Sequence, residues 1–382
     1  MNKIIYHILK VIAFLLASLV PKKKSLWLFG AWFGKSFSDN SKYLYLYIKE
    51  NHKNINAVWI TKNKELLSDS NDSNMYYYKS IKGIYYQLTS GVIFYTHSVA
   101  SDFNSPFIGL TTKRVSLWHG FPLKKIGFDD SIYTSKSAFS RKYKFLFDFL
   151  NNNLTDRVIS IGEECSEYFS SAFNLDSKKI ILTGFPRNDV FNKDKSESSL
   201  FRAIYMPTFR GSVGGSVDLF EKYGMSFESF DAFLNENEME LTIRVHPANR
   251  PSEEQVKVIS KSNNIILSDN GDIYSQINEY DCLITDYSSI MFDFVVSKRP
   301  IILAPFDMKH YLENDREMYF DYGSVSEDKF CNNWHDVRNK LLKAKNEPTL
   351  NDVLYNKHDQ HLLNSKLYSE NVYVSIRTWM DF

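Results

Sequence analysis

Two histidines stand where an α/β chain places its chemistry. His119 follows the apolar run "RVSLW" and precedes a glycine; His246 follows "LTIRV" and precedes a proline. Imidazole is the side chain whose ordinary pKa lies closest to neutrality, so both positions suit proton transfer. A lone strand-end histidine is more often a hydrogen-bonded structural residue. A matched pair, one in each half of the chain, points to function.

Three further stretches carry chemistry of another kind. "CLITDYSSIMFDF", residues 282 to 294, runs from an apolar strand into a polar turn and then a helix-like segment. Asp286 or Ser288 can cap that helix, and its free amides with the Ser288 and Ser289 hydroxyls suit a phosphate; the plainer reading is an ordinary cap. In "MPTFRGSVGGS", residues 206 to 216, Arg210 sits at a strand end, where a guanidinium can grip phosphate as a fork of donors, or the glycines are simply a flexible loop. "TGFPRND", residues 183 to 189, brings Arg187 to another strand-end turn, as hinge structure or as a ligand contact. Lys124 and Lys125, just after the first histidine, attract an anion or belong to a solvated loop.

The elements that must position these residues are short β-type runs alternating with longer polar or amphipathic segments. A first series is Leu26–Gly30, Ala57–Ile60, Val92–Tyr95, Arg114–Trp118, Arg157–Ile161 and Ile180–Thr183. A second is Arg202–Met206, Leu241–Val245, Asn264–Leu267, Cys282–Thr285 and Pro300–Ala304. Several are continuous apolar runs, as expected of parallel strands covered on both faces. With 382 residues the chain suits two domains. The polar stretch Phe191 to Leu200 is the expected linker, giving lobes at 25–195 and 196–382, with the last helix able to cross back to the first. In open sheets of this kind ligands bind beyond the carboxyl ends of the strands, where the histidines, Arg210 and Asp286 fall.

Residues 1–24, "MNKIIYHILKVIAFLLASLVPKKK", read as an amphipathic helix. Lys3, His7 and Lys10 form one polar strip on an apolar cylinder, and Lys22, Lys23 and Lys24 favour anionic lipid. A charge at Lys10 argues against a spanning helix, and no small-residue cleavage site follows. A peripheral contact with a membrane surface is expected; a helix packed on its own domain is the alternative.

Composition narrows the rest. Basic and acidic residues nearly cancel, 46 against 45, which removes the global positive field of a nucleic-acid binder. Cys165, Cys282 and Cys331 lie far apart, without disulfide or metal-ligand spacing. The chain has no Walker loop, no G-x-G-x-x-G fingerprint after the first strand and no H-E-x-x-H, and "FDD" at 128 to 130 is a forced metal site. No metal and no firm cofactor is expected.

Taken in order, "WHGFPLKKIGFD", "TGFPRND", "MPTFR", "RVHP", "LITDYSSIMFDF" and "PIILAPFDMKHY…REMYFDY" resemble the CDP-glycerol glycerophosphotransferase family, enzymes that prime and polymerise teichoic acids and related polymers. The resemblance runs from about residue 26 to about residue 325. It implies a GT-B-like α/β architecture of two Rossmann-like lobes with the active site between them, the first on the acceptor side and the second on the CDP-donor side. It implies a peripheral enzyme at the cytoplasmic face of the bacterial membrane. Glycerol phosphate would pass from CDP-glycerol, or ribitol phosphate from CDP-ribitol, to a hydroxyl of a lipid-linked or surface glycan acceptor, releasing CMP.

The family's two essential histidines map onto His119 and His246. His119 is assigned as general base, with His246, Arg210, Asp286, Ser288 and Ser289 on the donor; the alternative exchanges the roles of the two histidines. Gly120, Lys124, Lys125, Arg187 and Arg244 are counted as further phosphate or acceptor contacts. Three departures from the family pattern stand out: "PTFR" lacks the usual Trp but keeps Arg210, "ILAPFD" replaces a commoner aromatic-rich run, and Glu317 stands where Gly is usual; the last two bear on the nucleotide or polyol site. A nucleotide-sugar glycosyltransferase or epimerase on the same fold is the nearest rival, and a non-catalytic membrane adaptor the rival from another class.

Overall fold

Each apolar run becomes a strand because its side chains find cover on both faces of a sheet. The computed structural model describes residues 3–69, 72–130, 142–143, 148–149, 153–210, 218–245, 251–268, 271–314, 317–363, 365 and 367–380. The chain forms two compact units. The first is Met1–His119, Ile126–Asp189 and Asp359–Phe382; the second is Gly120–Lys125 and Val190–His358.

The first unit is built on seven strands: β1 (Lys23–Phe29), β2 (Asn56–Thr61), β3 (Met75–Tyr77), β4 (Ser90–Tyr95), β5 (Lys113–Ser116), β6 (Arg157–Ser160) and β7 (Ile180–Leu182). They lie in the order β3-β2-β1-β4-β5-β6-β7, all parallel. The second unit repeats the plan with β8 (Phe201–Met206), β9 (Met239–Ile243), β10 (Ile265–Leu267), β11 (Cys282–Thr285) and β12 (Ile301–Leu303), ordered β10-β9-β8-β11-β12 and again parallel. Each order reverses once, between β1 and β4 and between β8 and β11. These reversals are the switch points at which doubly wound sheets open a crevice.

The central strands carry the core. All six residues of β4 are buried, and Phe29 of β1 stacks on Phe94 at 4.8 Å and 10°. Helix α2 (Asp39–Asn51) covers that face with Leu44, Tyr45 and Ile48. In the second unit Trp334 is fully buried between Tyr205 and Phe230 and donates its indole N–H to the Leu219 carbonyl at 2.8 Å. The edge strands are short and partly exposed, with Leu182, Ile266 and Leu267 open to solvent. The strand not foreseen from sequence is β3, three residues at a sheet edge, too short to show a period.

The partition of the chain differs from the expected one. The boundary falls at Asp189/Val190, and Phe191–Leu200 is not a free linker: the Lys193 carbonyl accepts from Asn278 Nδ2 at 2.9 Å and Lys195 pairs with Asp281. The final helix, α5 (Tyr368–Trp379), belongs to the first unit, where Asp189 accepts the N–H groups of Tyr368 and Ser369 at its start. (The helices α3 and α4 are Glu163–Phe173 and Ile290–Phe294.)

Residues Lys3–Leu19 form helix α1. Phe14 and Ala17 dock it on the first unit, where Gly109 leaves no room for a side chain: a Cβ there would lie 2.5 Å from the Ala17 carbonyl oxygen. Ile5, Ile8, Leu9, Ile12, Leu15, Leu16 and Leu19 remain exposed, Leu19 by 80%. At about 3.6 residues per turn these seven share roughly a third of the circumference, away from the docked side. Lys10 is exposed, while the side chains of Lys3 and His7 lie outside the description. The lysine trio is not a free basic tail. Lys23 and Lys24 open β1, and the Lys22 ammonium donates to the Ala17 and Leu88 carbonyls in the last turns of two helices. Among the described residues no helix is long and apolar enough to cross a membrane.

Candidate active site

In the first unit the switch point is closed by a buried carboxylate. The Asp102 side chain accepts the Phe33 N–H at 2.8 Å from the loop after β1, and the Thr96 and His97 N–H groups at 2.9 and 3.2 Å from the loop after β4. Trp32 N–H donates to Thr96 Oγ1 at 3.0 Å. The loop after β1 turns through Trp32, Phe33 and Gly34, all at positive φ, and a Cβ on Gly34 would lie 2.8 Å from the Lys62 side chain.

His119 sits beside this switch point, three residues past β5. Its Nδ1 lies 3.1 Å from the Thr96 carbonyl oxygen, which can only accept, so the proton is on Nδ1 and Nε2 keeps its lone pair. The ring stacks on Trp118 at 4.1 Å and 27° and on His97 at 4.5 Å and 12°. Burial first, then the neighbouring His97, push its pKa down to about 4; Asp39 and the Thr96 carbonyl pull upward, and Arg187 adds a smaller downward push. The imidazole is neutral at physiological pH.

The backbone that presents His119 is strained and then held. Trp118 has φ +51° and Gly120 φ +139°, so Gly120 serves a turn that L side chains rarely adopt. Asn40 Nδ2 donates to the Leu117 and Trp118 carbonyls at 2.9 and 3.3 Å, and Arg187 Nη1 donates to the His119 carbonyl at 3.1 Å. The same Nη1 meets Asp39 Oδ1 at 2.9 Å, and Asp39 Oδ2 accepts the Trp32 indole N–H at 2.9 Å. Trp32, Phe33, Asp39 and Trp118 are four of the seven non-glycine residues at positive φ among those described. Such backbone costs about 1–3 kcal/mol each and persists only where surrounding contacts dictate it.

In the second unit the switch point holds a cluster of opposite charges. Arg210 Nη2 meets Asp286 Oδ2 at 2.6 Å, and Arg210 Nε meets Asp307 Oδ2 at 2.7 Å, with Arg210 Nη1 donating to the Thr208 carbonyl at 2.7 Å. Arg210 is therefore not presented as an open fork. Burial alone would lower its pKa, but Asp286 and Asp307 together raise it; Arg210 in turn holds Asp307 below the usual carboxylate range against its burial. The guanidinium lies over the rings of Tyr287 and Tyr311, which stack at 3.8 Å. Asp286 Oδ1 accepts the Thr208 and Tyr287 N–H groups at 2.7 and 2.6 Å, so this carboxylate ties the loop after β8 to the loop after β11 rather than capping a helix. The helix that follows, α4, is five residues long; Ser288 and Ser289 before it are half-buried, and the Ser289 side chain makes no cap bond.

Lys124 donates to the Tyr311 hydroxyl, and Lys125 pairs with Glu317 at 2.7 Å while its N–H donates to the Glu317 carbonyl at 2.8 Å. Glu317, the departure noted in the sequence, thus answers Lys125. Arg244 is tied to the loop after β10 through Ser268 Oγ and the Gly271 carbonyl. His246 and the glycines of 211–217 lie outside the described residues. Among the described residues no three or more His, Cys, Asp or Glu gather as a metal site.

Sequence reasoning missed His97, Asp39 and Asn40. His97 carries the same signal as His119, a histidine just past an apolar strand, and "VIFYTHS" displays it. Asp39 and Asn40 fall in "FGKSFSDNSKYLY", a stretch that also resembles the family, but their individual roles depend on Arg187, 148 and 147 residues away.

Two doubly wound parallel sheets, each with a polar cluster where its strand order reverses, define a GT-B-like α/β protein. The chain belongs to the CDP-glycerol:poly(glycerophosphate) glycerophosphotransferase family, whose model matches residues 12–363. It is 28% identical over 361 residues to a teichoic acid poly(glycerol phosphate) polymerase of Bacillus spizizenii, spanning 88% of this chain and 87% of that one. A teichoic acid glycerol-phosphate transferase of Staphylococcus aureus is 27% identical over 343 residues, 84% of each chain. The solved wall teichoic acid polymerase TagF has the same fold, with a TM-score of 0.75 over 99% of this chain and 97% of that one at 21% identity. The chain is an enzyme, a glycerophosphotransferase that uses CDP-glycerol.

Proposed function

We propose that this enzyme transfers glycerol phosphate to a terminal hydroxyl of a lipid-linked or surface glycan or polyol-phosphate acceptor, with His119 as the general base. The observation that carries this reading is the pinned tautomer of His119, which leaves a neutral imidazole with Nε2 bare. The acceptor O–H gives its proton to Nε2, its oxygen forms a bond to the phosphorus bearing glycerol, and the bond from that phosphorus to the CMP oxygen breaks. Asp39 offsets the charge that appears on the imidazole.

In the second unit the assigned donor contacts Arg210 and Asp286 act as a pair with Asp307, holding the loops after β8 and β11 where Ser288 and Ser289 meet the donor phosphates. His246 is assigned to the leaving phosphate on family resemblance. The exposed apolar face of α1 is proposed to lie in the cytoplasmic membrane surface, bringing a peripheral enzyme to a lipid-linked acceptor.

The test is CMP release by purified protein given CDP-glycerol or CDP-ribitol with a glycerol-phosphate-primed acceptor. Release from CDP-glycerol that requires acceptor and is lost in His119→Asn supports the reading. Equal turnover in His119→Asn removes the base; release from CDP-ribitol alone replaces the donor.

A further inference from the structure

The carboxyl edge of the first sheet continues past His119. The strand order β5-β4-β1-β2-β3 sets the loops after those strands in a row, and each loop meets the next. The His119 ring stacks on His97 of the loop after β4, and His97 lies 4.4 Å from Phe33 of the loop after β1. The Gly34 carbonyl of that loop accepts the Lys62 N–H at 2.6 Å from the loop after β2. The Thr61 carbonyl, at the end of β2, accepts the Tyr78 N–H at 2.9 Å from the loop after β3. Four strand spacings of about 4.8 Å make the row roughly 19 Å long.

The far half of the row is basic and aromatic. Lys62 Nζ lies 5.4 Å and Lys79 Nζ 5.2 Å from the centre of the Tyr78 ring, and Lys64 Nζ lies 5.2 Å from that of Tyr77. Lys62 also donates to the Ala100 and Ser101 carbonyls. These contacts hold the ammonium groups in place without neutralising them. Burial lowers the Lys62 pKa, Asp102 raises it, and the like charges of Lys10 and Lys79 lower it again, so three lysines feel one another. Glu65 and Asp69, on the short helix after Lys64, oppose part of this charge, while the buried Asp102 accepts backbone N–H groups. Like charges gathered in this way repel unless an anion lies among them. Lys10, Lys64 and Lys79 are exposed, and so are Trp32 and Phe33, by 40% and 50%.

An anionic polymer whose reacting end lies at His119 fits this row. A glycerol phosphate repeat has six backbone bonds, about twice the three that span ~3.6 Å in an extended peptide, so a repeat spans about 7 Å. Roughly two or three repeats therefore reach from His119 to the lysines. The exposed Trp32 and Phe33 rings suit the C–H faces of the first repeats, and the ammonium groups beyond them suit the phosphates.

We propose that the edge running from Trp32 and Phe33 to Lys62, Lys64 and Lys79 is a docking track for the phosphodiester chain of the acceptor, behind the terminal hydroxyl that His119 deprotonates. The inference rests on the reading of His119 as base. It narrows the acceptor to a polyol-phosphate chain, since a neutral glycan offers these lysines no anion.

Steady-state transfer from CDP-glycerol to soluble synthetic acceptors, a glycerol-phosphate monomer and a hexamer, tests the track in wild type and in Lys64→Gln with Lys79→Gln. Both side chains are exposed, so the exchange leaves the fold intact. In the wild type the acceptor KM is expected to be lower for the hexamer than for the monomer, and the double variant is expected to lose about tenfold of that advantage. Added salt should erode the advantage more in the wild type than in the variant. Lys178→Gln with Lys179→Gln, which removes two charges beside β7 at the opposite end of the same sheet, is expected to keep it. No advantage of the hexamer in the wild type, an unchanged advantage in the Lys64 and Lys79 variant, or an equal loss in both double variants overturns the track. An unchanged advantage accompanied by weaker sedimentation with anionic vesicles also overturns it, and assigns the lysines to lipid headgroups. Failure of the base reading is separate, because it appears as retained turnover in His119→Asn whatever the acceptor length.

Discussion

Arg187 and Asp39, 148 residues apart, form an ion pair 2.9 Å long in which each side chain is only 4% exposed. The same Arg187 nitrogen holds the His119 carbonyl, so this pair positions the turn that carries His119. Removing one partner leaves an uncompensated buried charge, which costs about 3–5 kcal/mol. Arg187→Met is expected to lose stability on that scale in urea unfolding, together with most turnover. Arg187→Lys, which keeps charge but not the planar geometry, should recover stability in part.

Acid should weaken the first unit through its histidines. His119 is lowered to about 4 by burial and by His97, so between the unfolded value near 6.5 and about 4 the unfolded chain binds more protons than the folded one. The sign is that stability is full above about pH 6.5, falls as pH drops to about 4, and levels below. Unfolding midpoints measured across this window should show that slope, and His119→Asn should flatten it. In the ligand-free enzyme the acidic limb of kcat/KM is expected below 6.5, never above it.

The Arg210 cluster predicts an asymmetry. Arg210→Met leaves Asp286 and Asp307 facing each other without a cation and should destabilise the protein by about 3–5 kcal/mol. Asp307→Asn keeps the Asp286 pair and a hydrogen-bonding side chain and should cost clearly less. Thermal melts of the two variants, with CDP-glycerol binding by calorimetry, check both the order and the link to the donor.

The α1 face predicts a separation of activity from location. Leu16→Glu with Leu19→Glu puts two charges on the most exposed part of that face, 60% and 80% exposed, away from Phe14 and Ala17. Sedimentation with anionic vesicles is expected to drop at least tenfold, since each buried leucine contributes about 1.5–3 kcal/mol. Turnover on a soluble acceptor should stay within twofold. Retained vesicle binding would remove α1 as the membrane contact.

Lys125→Ala should change little. Its pair with Glu317 is solvent-exposed, 35% and 60%, and such pairs contribute about 0–1 kcal/mol. Acceptor and donor KM both within twofold of wild type would agree with a structural surface pair; a large rise in either would restore the anion-binding role.

The alternation of apolar runs with amphipathic segments determined the two parallel sheets, because a strand covered on both faces must be continuously apolar and its helix must not. The same local rule marked the ends of β5, β8 and β11 and so pointed at His119, Arg210 and Asp286. Recognition of the family came from ordered motifs, each of them local. What the tertiary structure alone decided was who holds whom. Arg210 reads as a free phosphate fork until Asp286 and Asp307 close on it, and Arg187 reads as a hinge until Asp39 arrives from 148 residues away in the chain. The tautomer of His119 depends on its ring reaching the carbonyl of Thr96. Those are distances and angles between residues far apart in the chain or turned by strained backbone, and a sequence specifies them only through the fold.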